Sequence, residues 1–284
     1  MLDYPPLILF CYNRPDHLAS TISSLLRCEN SEKYDLHIFS DGPKYQENED
    51  EIHQVRSLIK KICGFNSIRI YESQNNLGLA NSVILGVSKI LLENQSVIVI
   101  EDDLKFDEHF LNFMRDALNR YETNNSIFSV SGFSPIDVSE ICFPNESYLS
   151  PRIHSWGWGI WADQWNKIDW ELSNLNSFFR DNLKIKHFVS GGPDLVPMVI
   201  RHLYNEIDSW AIRMAIAASD LNRYCVYPAW TLVSNHGLDG SGTNCGIQDG
   251  TNLRNDFKNI KITKFIESPI INSEILKRFR NAYS

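Results

Sequence analysis

Short apolar segments alternate with longer stretches of helical periodicity along the first half of the chain. Five of the apolar segments have the length and the β-branched content of buried strands, and they cover 6–12, 34–40, 67–73, 97–101 and 127–133. Helical patterns begin at Pro15 and recur near 46–62, 79–93 and 107–121. Because strands that alternate with helices are typical of βαβ units, the pattern predicts an α/β fold with one mainly parallel central sheet and flanking helices.

The second half of the chain is patterned less regularly. Trp158, Trp161 and Trp165 share the spacing of one helix face, which predicts a helix with a buried tryptophan side. Another helix candidate covers 205–214, and a strand candidate leads into a loop rich in Gly, Ser and Asn over 227–246. The small residues of that loop suit a lid that closes over a ligand and excludes water. The sequence beyond residue 255 is uninformative about secondary structure.

Polar side chains follow each of the first four predicted strands. They are Asn13 and Arg14 after the first, Asp41 and Gly42 after the second, 75–78 after the third, and Asp102 and Asp103 after the fourth. Ligands of open α/β sheets bind outside the carboxyl ends of the strands. Arg14 suits a diphosphate or a stacked base, and Asp41 can accept from a uracil imide or a ribose hydroxyl. Such residues are also common in turns, but four polar strand ends together favour a nucleotide site.

The segment VIVIEDDL, residues 97–104, places Glu101, Asp102 and Asp103 directly after a strand of β-branched residues. Mutual repulsion raises the pKa of such carboxyls and costs stability unless a cation or a donor compensates. Hard divalent ions take carboxylate oxygens, and Mg²⁺ prefers one or two carboxylates together with substrate phosphates and water. Helix capping explains one aspartate but not three carboxylates. The segment therefore predicts a divalent ion that carries a diphosphate ligand.

Composition and charge narrow the range of partners. The formal net charge of −8 argues against nucleic acid as a partner and against broad attraction to an anionic membrane. The six cysteines are widely scattered, which predicts reduced thiols. With no basic leader and no long apolar run, the sequence predicts a cytoplasmic protein. A peripheral contact with the inner membrane surface through the basic stretch 277–280 is left open, although such short runs are usually solvated.

Four motifs in a fixed order carry a family resemblance: LILFCYNRPDHL, IFSDG, NNLGLANSV and VIVIEDDL. Together they resemble the nucleotide-sugar half of a GT-A fold glycosyltransferase, with the acidic triplet in the place of the DxD-type metal motif. They are similar to bacterial sugar transferases of polysaccharide gene clusters and, more distantly, to the N-acetylglucosaminyltransferase I type of inverting enzyme. The resemblance covers roughly residues 6 to 250, and it rests on ordered motifs and not on the triplet alone.

The resemblance implies a GT-A, Rossmann-like fold with residues 1–135 as the nucleotide-sugar half and 136–284 as the half that holds the acceptor and the catalytic base, within one compact domain. It also implies a nucleotide-sugar donor, a saccharide or glycolipid acceptor and Mn²⁺ or Mg²⁺ as cofactor. The donor residues are Arg14 and Asp41 on the nucleotide, Asp102 on the ribose or the donor sugar, Asp103 on the metal, and Asn76 and Glu101 beside them.

On the acceptor side, Trp156 and Trp158 are open between a core role and a sugar platform, because apolar sugar faces stack on aromatic rings. The resemblance makes Asp208 the catalytic base, since it matches the aspartate of an Asp-x-Trp segment; by residue chemistry alone it could equally be a solvated carboxylate. Glu206 is its competitor and a candidate acceptor contact. His236 is a candidate metal or phosphate ligand, although a lone loop histidine is more often just a surface residue.

The function predicted is an inverting transfer of a sugar from a nucleotide-diphosphate donor, UDP first, to an acceptor hydroxyl in surface polysaccharide synthesis. Two alternatives stay open. One is a non-catalytic carbohydrate-binding member of the same fold. The other is a sugar nucleotidyltransferase, which usually has a Gly-rich basic loop after its first strand, whereas CYNRPDH at 11–17 contains no glycine.

Overall fold

The computed structural model describes residues 4–45, 48–240, 257–267 and 271–284. Its strands are β1 Leu7–Cys11, β2 Asp35–Ser40, β3 Ser67–Glu72, β4 Ser96–Glu101, β5 Leu104–Phe106, β6 Ile127–Ser131, β7 Ser147–Ser150, β8 Trp158–Trp161, β9 Tyr224–Pro228 and β10 Val233–Asn235. Its α-helices are α1 Pro15–Leu25, α2 Glu49–Ile59, α3 Leu79–Leu91, α4 Phe110–Tyr121, α5 Ala162–Trp165, α6 Leu175–Phe178, α7 Asn182–Ser190, α8 Leu195–Leu203, α9 Trp210–Asp220 and α10 Ser273–Ala282.

Eight strands form one sheet in the order β3-β2-β1-β4-β8-β6-β9-β7. Strands β7 and β8 run antiparallel to their neighbours, and the other six run in one direction. The predicted α/β class with a mainly parallel, Rossmann-like sheet is therefore confirmed, and the arrangement is consistent with a GT-A fold. Strands β5 and β10 form a separate antiparallel pair.

The elements predicted in the first half are confirmed with small shifts at their ends. The five predicted strands correspond to β1, β2, β3, β4 and β6, and helix α1 begins at Pro15 as expected. Proline fits this position because its missing N–H would have no partner in the first helical turn. Helix α2 is shorter than the predicted 46–62, since it covers Glu49–Ile59. Periodicity identifies elements well and their ends less well, because the last turns of a helix fray.

The helix predicted for Trp158, Trp161 and Trp165 is wrong. Trp158–Trp161 is strand β8, which lies between β4 and β6, and only Trp165 belongs to a helix, the short α5. A strand paired on both sides and covered on both faces is apolar throughout, so its sequence cannot be told from a buried helix by periodicity. Glycine suits position 159, because a Cβ would crowd the carbonyl oxygen of Val97 at 3.0 Å.

The sheet has a hydrophobic cluster on each face, and side chains of one strand alternate between them. The first cluster contains Phe10, Val99 and Trp158 and packs under α3 and α9. The second contains Leu9 and Ile100 and packs under α1 and α4. The predicted halves share this sheet, because β8 of the second half lies between β4 and β6 of the first. Their division into donor and acceptor functions stays a prediction.

The C-terminal residues, where the sequence was uninformative, contain helix α10. Phe279 is fully buried, and Tyr283 lies under the guanidinium of Arg152, 3.4 Å from its ring centroid. Arg278 of the stretch 277–280 pairs with Glu140. One basic residue of the stretch predicted to contact the membrane thus forms an ion pair within the protein. Membrane contact stays a prediction. No helix among the described residues combines the length and the hydropathy that crossing a bilayer requires.

His187 on α7 makes stability depend on pH. Its side chain is buried, its Nδ1 lies 3.2 Å from Oγ of Ser219, and burial lowers its pKa from 6.5 to about 4. The unfolded chain takes up a proton near pH 6.5 and the folded chain does not, so stability is full above that pH and falls as the pH drops toward 4. Acidification from pH 7 to pH 5 is expected to cost about 2 kcal/mol through this group.

Urea unfolding at the two pH values measures this effect in the wild type, in His187→Gln and in His53→Gln. His53 is the matched control, because its imidazole is exposed on α2. His187→Gln should lose about 2 kcal/mol less than the wild type on acidification, and His53→Gln should lose as much as the wild type. Equal losses in all three proteins would show that His187 is protonated in the folded state.

Candidate active site

The topology brings the predicted site residues to one edge of the sheet, which we call the carboxyl edge: the carboxyl ends of β1, β2, β3 and β4. These four strands are parallel, so the residues that follow them are neighbours. Helix α9 also begins at this edge, because it leads into β9, which runs in the same direction as β4. Ligand sites of open α/β sheets lie at this edge.

The centre of the site is an ion-pair cluster of Arg14, Asp102 and Asp103. Nη2 of Arg14 donates to Oδ1 of Asp102 and, at 3.0 Å, to Oδ2 of Asp103. The second oxygen of Asp102 accepts from the Tyr12 N–H at 3.3 Å, and its backbone oxygen accepts from Oγ1 of Thr21 at 2.7 Å. The two aspartates are only 3% and 7% exposed. The compensation that the acidic triplet requires is thus supplied by a guanidinium.

Glu101 is the last residue of β4 and is not part of the ion-pair cluster of Arg14, Asp102 and Asp103. It pairs in register with Phe10 of β1. Burial raises the pKa of Glu101 to about 8, and repulsion by Asp103 and Asp102 adds to the rise. The pKa of Asp102 is raised to about 6 by burial, although Arg14 acts in the opposite direction. Burial and mutual repulsion thus both favour the protonated form of Glu101.

One donor group of Arg14 is buried without a hydrogen-bond acceptor among the described residues. This group is Nη1 of the guanidinium. Leaving a buried charged donor without a partner costs free energy, so such an atom marks a place where an anionic oxygen can bind. The sequence predicted Arg14 as a nucleotide contact, and its position at the carboxyl edge is in line with that role.

Asp41 and Asn76 hold the loops after β2 and β3 together. The carboxylate of Asp41 accepts from the backbone N–H of Gly42, Leu77 and Gly78 at 2.8, 2.9 and 3.1 Å. Nδ2 of Asn76 donates to the carbonyl oxygen of Gly42 at 2.9 Å. Both residues lie at the carboxyl edge as predicted, but their polar groups are already used between the loops. Contact with the nucleotide stays a prediction for each.

Arg56 on α2 is a residue of this edge that the sequence analysis missed. Its Nη2 donates to the carbonyl oxygens of Ser73 at 2.6 Å and of Asp41 at 3.3 Å. These two hydrogen bonds connect the carboxyl ends of β2 and β3. A basic residue near the end of a predicted helix is too common a signal to have identified it.

The segment 236–240, which we call the covering segment, lies against Asp103. Strand β10 pairs with β5, and the N–H of His236 donates to the carbonyl oxygen of Asp103 at 2.8 Å. A Cβ on Gly237 would lie 2.2 Å from Oδ2 of Asp103 and 2.9 Å from Nη1 of Arg14. The sequence analysis did not single out Gly237, although its position between His236 and Asp239 in a Gly-rich run was visible. Residues 241–246 of the predicted lid lie outside the described residues.

The hydrogen bond between His236 and Asp103 joins their backbones. Nε2 of its imidazole lies 3.1 Å from Oγ of Ser234. Partial burial, Lys105 and His17 lower the pKa of His236, which favours the neutral form that a metal ligand needs. Contact of this imidazole with a metal stays a prediction.

The acidic donor set is chemically suited to Mg²⁺ or Mn²⁺, but its arrangement does not fit an ion as it stands. Both carboxylate oxygens of Asp102 are hydrogen-bonded, and Oδ2 of Asp103 contacts Arg14 and Gly237. Within the part of the chain that the structure describes, the one group of three metal-ligating side chains is Glu29, Glu108 and His109. Glu29 follows the C-terminal end of α1 and Arg14 precedes its N-terminal end, so this group is not the predicted site.

Asp208 and Glu206 lie in the turn before α9. The carboxylate of Asp208 is 57% exposed and pairs with Arg213 at 2.6 Å, and Glu206 pairs with Arg201 at 3.3 Å. Ser209 caps the helix by accepting from the N–H of Ile212. The roles of Asp208 and Glu206 in catalysis stay predictions.

The tryptophans of 154–165 divide between core and surface. Trp158 is 1% exposed and stacks on Trp210, with ring centroids 4.8 Å apart. It is therefore a core residue, one of the two alternatives left open, and it offers no exposed face as a sugar platform. Trp156 is half-buried against Phe133, 4.5 Å between centroids, and stays a candidate platform. Trp210 is the first residue of α9. Its stack on Trp158 therefore also fixes the N-terminal end of this helix, next to Asp208.

Comparison with known proteins gives distant structural likenesses. No family model matches the chain, and no curated protein matches it. The chain is similar to S. aureus TarS, with a TM-score of 0.34 and 11% identity over 45% of this chain and 21% of that one. For the S. aureus TarS 1-349 structure the TM-score is 0.45 with 9% identity, over 84% of this chain and 62% of that one.

A third structure, mouse xyloside xylosyltransferase 1 in its apo form, has a TM-score of 0.40 and 11% identity over 75% of this chain and 80% of that one. The chain thus spans less than two thirds of either TarS structure. At TM-scores of 0.45 and below these likenesses carry no argument about activity. The conclusion about function rests on the residues of the carboxyl edge.

Proposed function

We propose that the chain is a glycosyltransferase that moves a sugar from a nucleotide-diphosphate donor to a hydroxyl of a saccharide or glycolipid acceptor. The sequence motifs make UDP the first nucleotide to test and surface polysaccharide synthesis the first process. One observation carries the proposal: Arg14 spans Asp102 and Asp103 at the carboxyl edge, and its Nη1 has no acceptor among the described residues.

Arg14 would bind the donor diphosphate. A guanidinium binds phosphate oxygens through parallel N–H groups, and such an oxygen supplies the acceptor that Nη1 lacks. The neighbouring loops, joined by Asp41 and Asn76, would face the ribose and the base. Dependence on Mn²⁺ or Mg²⁺ belongs to the proposal as well, although the described arrangement leaves no open ligand position at Oδ2 of Asp103.

Asp208 would act as the base in a single displacement. It takes the proton of the acceptor hydroxyl while the new bond to the anomeric carbon forms and the bond to the diphosphate breaks. Attack from the face opposite the leaving group inverts the anomeric configuration. The ion pair of Asp208 with Arg213 has to loosen for this step, because a carboxylate held by a guanidinium is a poor proton acceptor.

Thermal-shift measurements of the purified protein with UDP, GDP, CMP and their sugars, each with and without Mn²⁺, test the donor site. A ligand at about 100 times its Kd should raise the Tm by about 4 °C, because it binds the native state only. Arg14→Lys should abolish the shift, since a single ammonium cannot replace the guanidinium at two carboxylates and a diphosphate. No shift with any nucleotide would favour the non-catalytic carbohydrate-binding alternative.

Analysis of the product by NMR tests the chemistry. Transfer from a donor of known anomeric configuration should give the inverted configuration in the product. A retained configuration would remove Asp208 from the role of base. Formation of a nucleotide-sugar from a nucleoside triphosphate and a sugar phosphate would establish the nucleotidyltransferase alternative instead.

A further inference from the structure

We infer that His202 is a positioning residue for Asp208, the proposed catalytic base. Its imidazole holds this aspartate from two sides, through the backbone of Ile207 and through the guanidinium of Arg213. The inference rests on the proposed function, because the role of Asp208 as base belongs to that proposal. The sequence analysis did not single out His202.

The first contact is with the backbone directly before Asp208. Nδ1 of His202 lies 3.2 Å from the carbonyl oxygen of Ile207, which belongs to the peptide group that joins Ile207 to Asp208. A carbonyl oxygen can only accept, so Nδ1 carries a proton and donates. His202 is in the last turn of α8. Its imidazole therefore ties the end of α8 to the turn that carries Asp208.

The second contact is with the arginine that pairs with the Asp208 carboxylate. Nε of Arg213 donates to Nε2 of His202 at 3.3 Å, and Nη2 of the same guanidinium donates to Oδ1 of Asp208 at 2.6 Å. The side chain of Arg213 is 14% exposed, whereas that of Asp208 is 57% exposed. The N–H groups of a guanidinium have fixed directions in one plane. A hydrogen bond at Nε thus also sets the direction in which Nη2 meets the carboxylate.

The two contacts together define the protonation state of His202. Nδ1 faces an acceptor and Nε2 faces a donor, which is the pattern of a neutral imidazole with its proton on Nδ1. A doubly protonated ring would direct an N–H at the N–H of Arg213 and would repel its charge. This tautomer is therefore part of the arrangement, and it can be measured.

The consequence for the reaction is a fixed place for the base. A general base works only within hydrogen-bond reach of the hydroxyl that it deprotonates, and a carboxylate as exposed as Asp208 needs partners to stay there. Because Arg213 is also bonded to His202, the guanidinium stays in place while its bond to Asp208 loosens for the proton transfer. The carboxylate can then return to the same position after each turnover.

Steady-state kinetics with a donor found by thermal shift measure the effect on the reaction. His202→Ala removes both contacts and should lower kcat about tenfold, since a small displacement of a reacting group is costly. The KM for the donor should stay unchanged, because the donor diphosphate would bind at Arg14. His202→Gln should recover part of the lost kcat, because its amide oxygen can accept from Arg213 near the position of Nε2. His53→Ala is the matched control, an exposed histidine on α2, and should change neither constant.

Arg213→Lys tests the same arrangement from the other side. One ammonium cannot bond to His202 and Asp208 in the fixed directions of a guanidinium, so kcat should fall about as much as in His202→Ala. The double variant should lose no more than the larger single loss, because the two residues act on Asp208 through shared contacts. Losses that multiply would show that His202 does not act through Arg213.

NMR of the full chain gives a readout that needs no substrate. The ¹⁵N chemical shifts of the His202 ring at neutral pH should show the proton on Nδ1. The order parameter of the Asp208 N–H should fall from about 0.85 in the wild type to about 0.6 in His202→Ala. In His53→Ala it should stay at the wild-type value.

Three results would each overturn the inference: an unchanged kcat in His202→Ala, a proton on Nε2 in the wild type, or an Asp208 N–H that is equally ordered with and without the imidazole. These results are separable from the proposed function. If Asp208 is ordered by His202 in a protein that transfers no sugar, the contact stands and the glycosyltransferase is removed. Sugar transfer with the same kcat in the wild type and in His202→Ala would remove the inference alone.

Discussion

Replacing Arg14 by alanine is expected to lower the free energy of unfolding by about 3 kcal/mol and to abolish nucleotide binding. The change leaves Asp102 and Asp103 buried without their charged partner, and an unpaired buried charge is far more costly than a missing pair. Urea unfolding and the thermal-shift assay measure the two effects. Arg27→Ala is the matched control, because Arg27 is an exposed arginine at the other end of α1, and it should change stability by less than about 0.5 kcal/mol.

The loss of stability in Arg14→Ala should shrink as the pH falls. Burial raises the pKa of Asp102 to about 6 even with Arg14 present, and removal of the guanidinium raises it further. A carboxyl whose pKa is higher in the folded than in the unfolded state lowers the free energy of unfolding as the pH rises toward that folded-state pKa. Protonation of the aspartates at lower pH should therefore restore part of the stability that the variant has lost. A deficit that is the same at pH 5 and at pH 7.5 would mean that the aspartates do not carry its cost.

A triple variant separates stability from binding. Arg14→Ala combined with Asp102→Asn and Asp103→Asn removes the unpaired charges together with the guanidinium, so most of the lost stability should return. Nucleotide binding should not return, because the diphosphate contact is missing. Recovery of both would show that Arg14 holds the carboxylates and has no part in binding the donor.

Replacing Asp208 by asparagine is expected to lower kcat by about 10² to 10⁴ while the KM for the donor stays unchanged, as for the loss of a general base. The Tm should stay within the error of measurement, because this carboxylate is 57% exposed and its pair with Arg213 contributes little to stability. Initial rates at varied donor and acceptor concentrations, after a donor has been found by thermal shift, measure the effect.

Glu206→Gln is the control for Asp208→Asn. It changes an exposed carboxylate two positions earlier that is likewise paired with an arginine, Arg201. Its kcat should stay near that of the wild type. If Glu206→Gln loses activity and Asp208→Asn keeps it, the role of base passes to Glu206. If both keep it, the turn before α9 holds no catalytic base.

The sequence predicted much of the donor side. The alternation of apolar runs and helical patterns predicted five of the six strands and the four α-helices of the first half and missed β5, because both periods are local properties of the chain. The rule that ligands bind at the carboxyl ends of strands then selected Arg14, Asp41, Asn76 and the acidic triplet, and the structure places all of them at that edge.

The sequence failed where an element is buried on both faces or where partners lie far apart in the chain. Strand β8 was predicted as part of a helix, because two tryptophans three positions apart suit a buried helix face as well as a strand that is covered on both faces. The sequence could not predict that Asp41 and Asn76 form hydrogen bonds between the loops after β2 and β3, since their partners are more than 30 positions away in the chain.

What the sequence by itself determined is the alternation of strands and helices in the first half and the polar residues that directly follow β1 to β4, because the hydrophobic period and the ends of strands are local properties of the chain. What only the tertiary structure decided is which group compensates the acidic triplet. The argument from charge required a cation or a donor, and the fold supplies Arg14, 88 and 89 positions away from the two aspartates. The fold also places Gly237 next to Asp103, because β5 pairs with β10. These two strands are far apart in the chain, so no local sequence pattern predicts their pairing.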